Sequence, residues 1–438
     1  MFKITFLGAG STVFAKNLLG DCMCSDVLKA SEIALYDIHE TRVKESEEII
    51  SGINKAKGGG AKISTYLGTE NRRAALKGAH FVISAIQVGG YDPCTITDFE
   101  IPKKYGLRQT IADTVGIGGI MRGLRTIPVF EAFARDMQDV CPDAWLLNYV
   151  NPMSIITGYM QRYTGVKTVG ICHSVQDCSA HLLRDLGMSD RLEGRKELIA
   201  GINHMGWLLE IMDKNGADLY PEIKKRAKDK NQNEKHHDMV RYDYIDKFGY
   251  YCTESSEHNA EYNTFYIKNA YPELIERFNI PLDEYPRRCI EQLGKWENTR
   301  KEILSEGANH ERSSEYASYI MEAMVTNKPY LFGGNVMNTG LIENLPADAC
   351  VEVPCVVDNN GIRPCHVGKL PVQLAAMNMT HVNVHLLTIE AAVTRKKEHI
   401  YHAAMLEPHT AAELSPDDII KMTDELISAH GDWLPQYS

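Results

Sequence analysis

The sequence lacks the features typical of proteins that bind nucleic acids or insert into membranes. Its 47 Lys and Arg residues are outnumbered by 58 Asp and Glu residues, giving a formal net charge of -11, and no basic block or stripe stands out. This balance argues against nucleic acids and anionic membrane surfaces as partners. No apolar run approaches the roughly 20 residues that a bilayer-spanning helix requires, and no charged-then-apolar leader is present. We therefore expect a soluble, cytoplasmic protein.

Paired cysteines are lacking as well. The eleven cysteines are an odd number, are scattered along the chain and include no C-x-x-C pair. In a chain of this length, that pattern predicts reduced thiols in a reducing compartment and excludes a disulfide framework. Internal repeats and low-complexity segments are also absent, so the 438 residues favour two ordinary domains, each with its own core.

A glycine turn near the N-terminus predicts a dinucleotide site. The turn joins an apolar run at 3–7 to a helical pattern, and a second apolar run at 33–36 ends in Asp37. Gly8 permits a tight turn, and Gly10 lets the backbone approach a pyrophosphate at the helix N-terminus. Strand, glycine turn, helix, strand and terminal acid together are the context that gives a glycine motif its meaning.

The acid at the end of the second strand favours NAD over NADP. The carboxylate of Asp37 is placed to accept hydrogen bonds from a ribose 2′-hydroxyl, and it would repel a 2′-phosphate. Ser11 and Thr12 open the helix beside the expected pyrophosphate site. Val13 replaces the third glycine of the usual motif, which predicts that this helix and strand pack less closely than usual.

Strand-like runs alternate with helical patterns over the first 200 residues. Continuous apolar runs at 81–86, 145–150 and 167–171 are expected for parallel strands covered on both faces. Polar residues follow these runs, and such strand ends line the ligand crevice of a doubly wound sheet. The predicted fold class is α/β: a Rossmann-like doubly wound parallel sheet, similar to that of lactate and malate dehydrogenases, followed by an α+β domain. We place the NAD-binding domain at 1–195 and the catalytic and oligomerisation domain at 196–438.

Cys172 and His204 are candidate metal ligands. Cys172 follows a strand, and His204 lies beyond the next helical segment. Sulfur and imidazole suit a divalent transition metal, and two protein ligands leave positions open for water and substrate oxygens. A buried cysteine and a hydrogen-bonded histidine are also common in any protein core, so spacing alone leaves both interpretations open.

Seven stretches form long, ordered motifs. They are ITFLGAGST (4–12), NYVNP (148–152), GICHSVQ (170–176), GINHM (201–205), TESSEHNAEY (253–262), LDEYPRRC (282–289) and HGDWLP (430–435). Through these motifs the chain resembles glycoside hydrolase family 4, the NAD-dependent glycosidases, over essentially its full length. Within the family it is most similar to the α-galactosidase (melibiase) branch.

The resemblance implies a redox-elimination route in place of the usual pair of carboxylates. NAD⁺ takes a hydride from C3 of the sugar, and the resulting ketone acidifies the proton on C2. A base removes that proton, the C1–O bond breaks with acid help, water adds to C1 and the hydride returns. A divalent metal, usually Mn²⁺ in the family, binds the C2 and C3 oxygens and stabilises the intermediate.

The resemblance also assigns roles by motif position. Cys172 and His204 would bind the metal, Asn151 the sugar hydroxyls near C2 and C3, and Asn148 would lie close to the nicotinamide. Tyr262 would be the base at C2. Its intrinsic pKa near 10 must fall for that role, and a nearby metal would lower it.

The proton donor departs from the pattern of some relatives. The phospho-α-glucosidase branch has an aspartate after the metal-binding cysteine, whereas this chain has His173. Histidine donates protons near neutral pH. Three assignments therefore stay open: His173 is the acid, another residue has taken that role, or His173 binds the sugar.

The substrate expected from the resemblance is an unphosphorylated α-galactoside such as melibiose. An α-galacturonidase is the alternative within the family, and we assign Arg288 to substrate binding. Arg287 and Arg288 could serve a C6 carboxylate, or could pair with Asp283 and Glu284. Alternatives of other classes are an NAD-dependent dehydrogenase, for which we find no His–Asp relay, and a catalytically silent binding protein. The family resemblance also suggests a homodimer or homotetramer.

Overall fold

The computed structural model describes residues 1–306 and 310–438. The strands are β1 (Lys3–Leu7), β2 (Glu32–Asp37), β3 (Lys62–Leu67), β4 (Phe81–Ser84), β5 (Trp145–Asn148), β6 (Lys167–Gly170), β7 (Lys196–Ile202), β8 (Met205–Met212), β9 (Tyr251–Cys252), β10 (Tyr330–Met337), β11 (Cys350–Asp358) and β12 (Gly361–Pro364). They form one twelve-stranded sheet in the order β3-β2-β1-β4-β5-β6-β10-β11-β7-β8-β9, and β12 pairs with β11.

Helices cover both faces of this sheet. They are α1 (Thr12–Cys24), α2 (Glu40–Ala56), α3 (Arg72–Leu76), α4 (Ile96–Lys104), α5 (Gly116–Val140), α6 (Met153–Tyr163), α7 (His173–Gln176), α8 (Cys178–Asp185), α9 (Tyr220–Asn233), α10 (Met239–Phe248), α11 (Ser256–Glu261), α12 (Glu273–Arg277), α13 (Glu284–Glu306), α14 (Tyr316–Thr326), α15 (Val372–Thr394), α16 (Lys397–Leu406), α17 (Pro408–Glu413) and α18 (Pro416–His430). None of the helices in the described part of the chain is long and apolar enough to cross a membrane.

The N-terminal half is the doubly wound parallel sheet that the sequence predicts. Strands β3, β2, β1, β4, β5 and β6 pair in parallel, with Ile4 opposite both Ile33 and Phe81. Their apolar runs are continuous because both faces are covered. Phe6 packs in the core on the α1 and α2 side, whereas Leu7 packs in the core on the α5 and α6 side. The predicted fold class is confirmed.

The C-terminal half extends the same sheet with antiparallel strands. β10 pairs with β6 at Asn335 and Gly170, β11 follows β10, and the β7–β8 hairpin lies beyond β11. The parallel and antiparallel parts therefore share a sheet, and the carboxyl end of β6 lies at their junction. The division of the chain at 195 stays a prediction.

Candidate functional site

The glycine turn has the geometry that its sequence predicts. Gly8 has a φ of +91°, and a side chain there would meet the carbonyl oxygen of Ala85 at 2.7 Å. The N–H of Gly10 donates to Asp37 Oδ2 at 2.6 Å, and the N–H of His39 donates to Asp37 Oδ1 at 2.9 Å. Asp37 therefore lies against the turn and holds it closed, at the place expected for a ribose-binding acid.

The residues after the turn open helix α1. Ser11 is exposed, and the hydroxyl of Thr12, which begins the helix, lies 3.1 Å from Ser46 Oγ. Val13 is 38% exposed, so its side chain does not lie between α1 and β1. The prediction that Val13 widens the packing of helix on strand is therefore wrong: the residue lies on the outer face of α1, and Ala15 is buried in its place.

Asn148 is fully buried at the end of β5. Its Oδ1 accepts hydrogen bonds from Ser84 Oγ at 2.9 Å and from Val150 N at 3.0 Å, and its Nδ2 donates to Thr157 Oγ1 at 3.1 Å. These bonds fix the strand end beside the crevice. Its closeness to a nicotinamide stays a prediction.

Cys172 and His204 come together although 31 residues separate them along the chain. Cys172 follows β6 at the N-cap of α7, and His204 lies in the two-residue turn of the β7–β8 hairpin with a φ of +65°. Histidine adopts a positive φ more readily than most residues other than glycine. Single ligand atoms of Cys172, His204 and Glu254 all lie within 4.8 Å of one another.

A second group shares His204. Ligand atoms of Asp113, His204 and His258 also lie within 4.8 Å of one another, and all three side chains are buried. We call Asp113, Cys172, His204, Glu254 and His258 the metal cluster. Asn151, the predicted sugar ligand, donates from Nδ2 to Asp113 Oδ2 at 3.1 Å and so lies at the edge of this cluster.

The charges in the metal cluster favour a bound cation. Burial disfavours protonation of His204, but the negative charges of Glu254 and Cys172 outweigh it and raise the pKa of His204 to about 10. The pocket thus attracts a positive charge next to sulfur, nitrogen and carboxylate donors. This donor set fits a divalent transition metal, with Glu254 and His258 available in addition to the two predicted ligands.

Tyr262 lies directly against the metal cluster. Its hydroxyl is 3.0 Å from His204 Nδ1, and its side chain is fully buried at the end of α11. Burial first, and then the nearby charges of Asp113 and Glu261, raise the pKa of Tyr262 well above its usual value. The sequence assigned Tyr262 by motif alone among 21 tyrosines, and the structure places it in contact with His204.

His173 is held by Glu315, a carboxylate that no sequence motif indicates. His173 Nε2 lies 2.5 Å from Glu315 Oε1, and the imidazole is 47% exposed. Burial lowers the pKa of His173, but the hydrogen bond and charge of Glu315 outweigh burial and raise it above the ordinary value. His173 is therefore an exposed, proton-holding group next to Cys172.

Arg288 lies on α13 and already has acidic partners. It contacts Glu284 Oε1 at 2.7 Å and Glu257 Oε1 at 3.4 Å, and Arg287 binds both oxygens of Glu284 at 2.7 Å. The pairing with Glu284 is thus the one present in the structure. Contact of Arg288 with substrate stays a prediction.

Four residues of the site have no role among the sequence-based predictions: Asp113, Glu254, His258 and Glu315. Glu254 and His258 belong to the motif at 253–262, and their spacing of four residues next to Tyr262 was a usable signal. Asp113 and Glu315 carry no such signal, because each reaches the site through a loop whose course depends on the folded chain. Glu261 holds the Asp113 loop by accepting hydrogen bonds from the backbone N–H groups of Thr110 and Ala112 at 2.7 and 2.8 Å.

Comparison with known proteins agrees with this geometry. The chain is 60% identical to an alpha-galactosidase of Bacillus subtilis over 100% of both chains. It is 35% identical to an alpha-galactosidase of Rhizobium meliloti over 100% of this chain and 90% of that one. A solved 6-phospho-alpha-glucosidase from gut microorganisms, in complex with NAD and Mn²⁺, covers 100% of both chains with a TM-score of 0.83 at 22% identity, which shows a shared fold.

Two family descriptions also match the chain, one for each half. Residues 3–188 match the family 4 glycosyl hydrolase model, and residues 199–410 match the family 4 glycosyl hydrolase C-terminal domain. Together they include the glycine turn, the metal cluster and Tyr262. The chain belongs to the family 4 glycosyl hydrolases.

Proposed function

We propose that the protein hydrolyses unphosphorylated α-galactosides such as melibiose, using bound NAD⁺ and a divalent metal, with Mn²⁺ the expected ion. The observation that carries this proposal is the contact of Tyr262 with His204, a member of the metal cluster. The same sheet carries the glycine turn of a dinucleotide site after β1. The 60% identity to an alpha-galactosidase over the full chain supports the choice of galactoside.

The two cofactors have separate places. Gly8, Gly10, Ser11, Thr12 and Asp37 form the turn and helix start that would hold NAD⁺, and Cys172 and His204 would hold the metal. The relative described with NAD and Mn²⁺ supports this pair of cofactors. When bound, NAD⁺ supplies a hydride acceptor for C3 of the sugar, and the metal supplies a Lewis acid for the neighbouring oxygens.

Tyr262 is the base that removes the C2 proton. In the acidic pocket its pKa is raised, first by burial and then by carboxylates such as Asp113. Cys172 and His204 would hold a positive charge that would counter those carboxylates and favour the tyrosinate. The hydroxyl is within hydrogen-bond reach of His204, which orients it. Asn151, already fixed by Asp113, binds the sugar hydroxyls beside it.

His173 is the acid that assists departure of the aglycone. It is half-exposed, as a group facing a departing alcohol must be, and Glu315 raises its pKa and so favours its protonated form. The carboxylate also fixes the ring, because a bond at Nε2 leaves Nδ1 as the nitrogen free to face the substrate.

The charge balance near the crevice favours a substrate without a charge at C6. Arg287 binds Glu284 and Glu291, and Arg288 binds Glu284 and Glu257, so three carboxylates compensate the two guanidinium cations. A C6 carboxylate or 6-phosphate would have to compete with those acids. This supports an α-galactoside over an α-galacturonide, the alternative within the family.

A drop-out assay tests the proposal. Reduced protein stripped of cofactor receives NAD⁺, Mn²⁺, both or neither, with para-nitrophenyl α-galactoside as substrate. We expect hydrolysis only with both and no accumulation of NADH; hydrolysis with neither would contradict the mechanism. The same assay with an α-galacturonide and a 6-phospho-α-glucoside tests the substrate, since a clearly faster rate on either would overturn it.

We also propose that the protein works in the cytoplasm as a homodimer or homotetramer. All eleven cysteines are free thiols, as a reducing compartment requires. The oligomer is supported by the family resemblance. Light scattering of the reduced protein measures its mass, and a monomer at all concentrations would contradict this proposal.

A further inference from the structure

The two predicted metal ligands come from strands that are not neighbours in the sheet. Cys172 follows β6 and His204 follows β7, but β10 and β11 lie between those strands in the order β6-β10-β11-β7. The separation of sulfur and imidazole is therefore set by residues on the two intervening strands. A metal site tolerates only small errors in ligand position, so these residues matter for binding.

One buried row of residues crosses all four strands beneath the metal cluster. Gly170 of β6 pairs with Asn335 of β10, Asn335 pairs with Glu352 of β11, and Glu352 pairs with Gly201 of β7. Gly170 is two residues before Cys172, and Gly201 is three residues before His204. Glu352 thus lies in the strand next to the one that carries His204.

The side chain of Glu352 joins the two halves of this row. Glu352 Oε1 accepts from Asn335 Nδ2 at 2.9 Å and from Asn203 Nδ2 at 3.4 Å. Asn335 Nδ2 also contacts the carbonyl oxygen of Gly170 at 3.4 Å, and Asn203 directly precedes His204. Glu352, Asn335 and Asn203 are at most 1% exposed, so water does not compete for these bonds.

The unpartnered oxygens of Glu352, Asn335 and Asn203 indicate why the residue at position 352 is an acid. Among the described residues, Glu352 Oε2, Asn203 Oδ1 and Asn335 Oδ1 have no hydrogen-bond partner. Burial raises the pKa of Glu352, which favours the protonated form. Unpartnered acceptors are costly in a core, and the protonated form of Glu352 reduces that cost because it removes a buried charge and one acceptor.

We propose that Glu352 is a positioning residue that sets the separation of Cys172 and His204 through hydrogen bonds to Asn335 and Asn203. The proposal rests on the proposed function for the identity of the ion. Glu352 is not a member of the metal cluster; its carboxyl group binds the side-chain amides of Asn335 and Asn203. Groups that hydrogen-bond the metal ligands directly are typically worth about 10- to 100-fold in metal affinity, and we take that range for Glu352, which bonds to the residue before His204.

The test compares four variants with the wild type by Mn²⁺ titration, followed by electron paramagnetic resonance of free Mn²⁺, on reduced protein with NAD⁺ present. Glu352→Leu removes the bonds and is expected to weaken Mn²⁺ binding by about 10- to 100-fold. Glu352→Gln keeps an acceptor and a donor in the same shape and is expected to bind Mn²⁺ as the wild type does. NAD⁺ affinity should stay unchanged in both.

Asn203→Ala and Asn338→Ala complete the set. Asn203→Ala removes only the hydrogen bond between Glu352 and the residue before His204, and we expect weaker Mn²⁺ binding. This variant replaces Glu352→Leu in the test if Glu352→Leu does not fold. Asn338, three residues beyond Asn335, is a buried amide that donates to Ile342 O and Leu345 O at 2.9 Å, away from the cluster. Its loss should reduce stability and leave Mn²⁺ affinity unchanged.

The outcomes separate the two proposals. Wild-type Mn²⁺ affinity in Glu352→Leu, or in Asn203→Ala where Glu352→Leu does not fold, would overturn the role of Glu352 and leave the proposed function standing. Equal losses in Glu352→Gln and Glu352→Leu would also overturn it, because they would point to charge and not to hydrogen bonding. A wild-type protein that binds no Mn²⁺ would overturn both proposals.

Discussion

The glycine turn and the metal cluster are built differently, although both lie at the edge of one sheet. The turn belongs to a single strand–helix–strand unit, β1-α1-β2, in which a hydrogen bond of 2.6 Å joins Gly10 to Asp37 at the end of β2. The metal cluster draws Asp113, Cys172, His204 and the pair Glu254 and His258 from four separate segments. Substitution of one residue in the glycine turn can weaken NAD⁺ binding without abolishing it. The metal cluster loses its ion when any one of its segments moves. The two sites should therefore respond differently to substitution.

The largest effect is expected at the predicted metal ligands. Cys172→Ser and His204→Ala should reduce metal-dependent turnover by about a thousandfold or more, because a Lewis acid contributes several kcal/mol to such a reaction. NAD⁺ affinity should largely survive. Turnover with Mn²⁺ and fluorescence titration with NAD⁺ measure the two effects.

Cys178→Ser is the matched control for this pair of variants. Cys178 is also buried and lies six residues after Cys172, but it is not a member of the metal cluster. We expect it to keep turnover. If the ligand variants lost NAD⁺ and Mn²⁺ equally, the two sites would not be separate and the comparison would fail.

The same contrast decides what the sequence could reveal. Periodicity and glycine chemistry predicted β1, β2 and the turn, since these form one strand–helix–strand unit that follows the order of the chain. Cys172 and His204 were candidates by residue type, but their proximity in space depends on β10 and β11. These two strands come late in the sequence and lie between β6 and β7 in the sheet. No local pattern encodes that order.

Loop residues were the least predictable part of the site. Asp113 reaches the metal cluster because Glu261, far along the chain, binds the backbone of residues 110–112. Glu315 reaches His173 because the preceding loop is held by Asp21 on α1. The N–H of Ser313 donates to Asp21 Oδ1 at 2.8 Å. These are contacts between distant segments, and each depends on the finished sheet. Only the motif resemblance brought Tyr262 and His173 forward.

The next effect tests whether the assembled site contains the base. Tyr262→Phe removes only a hydroxyl, so we expect kcat to fall by about 100- to 10,000-fold, the usual contribution of a general base. Affinity for NAD⁺ and Mn²⁺ should stay close to that of the wild type. Exchange of the sugar C2 proton with solvent deuterium, followed by NMR, should be lost in parallel.

Tyr266→Phe provides the comparison for the loss of a buried tyrosine hydroxyl. Tyr266 is 3% exposed, and its hydroxyl donates to Asp243 Oδ2 at 3.0 Å away from the metal cluster. We expect it to change stability and leave kcat intact. Retention of C2 exchange in Tyr262→Phe would show that another group is the base.

A smaller, selective effect is expected at the glycine turn. Asp37→Ala removes the acceptor of the Gly10 N–H and of the expected ribose hydroxyls, and hydrogen bonds to a charged group contribute about 1.5–3 kcal/mol. NAD⁺ affinity should fall by about 10- to 150-fold, with Mn²⁺ affinity unchanged. Asp26→Ala, which removes an exposed acid paired with Lys29 in the same half, should change neither.

The smallest effect is expected at His173, whose carboxylate partner Glu315 lies far away along the chain. Glu315→Gln removes the charge that raises the pKa of His173. An acid must be protonated to act, so activity falls as pH rises through its pKa, and lowering that pKa moves the alkaline limb of kcat to lower pH. The loss above neutral pH should be greater with melibiose than with para-nitrophenyl α-galactoside, since nitrophenolate departs without acid help.

Glu311→Gln, which changes an exposed acid of the same segment, should leave both pH profiles unchanged. An unchanged alkaline limb with melibiose would mean that His173 binds the sugar and that the proton comes from another group.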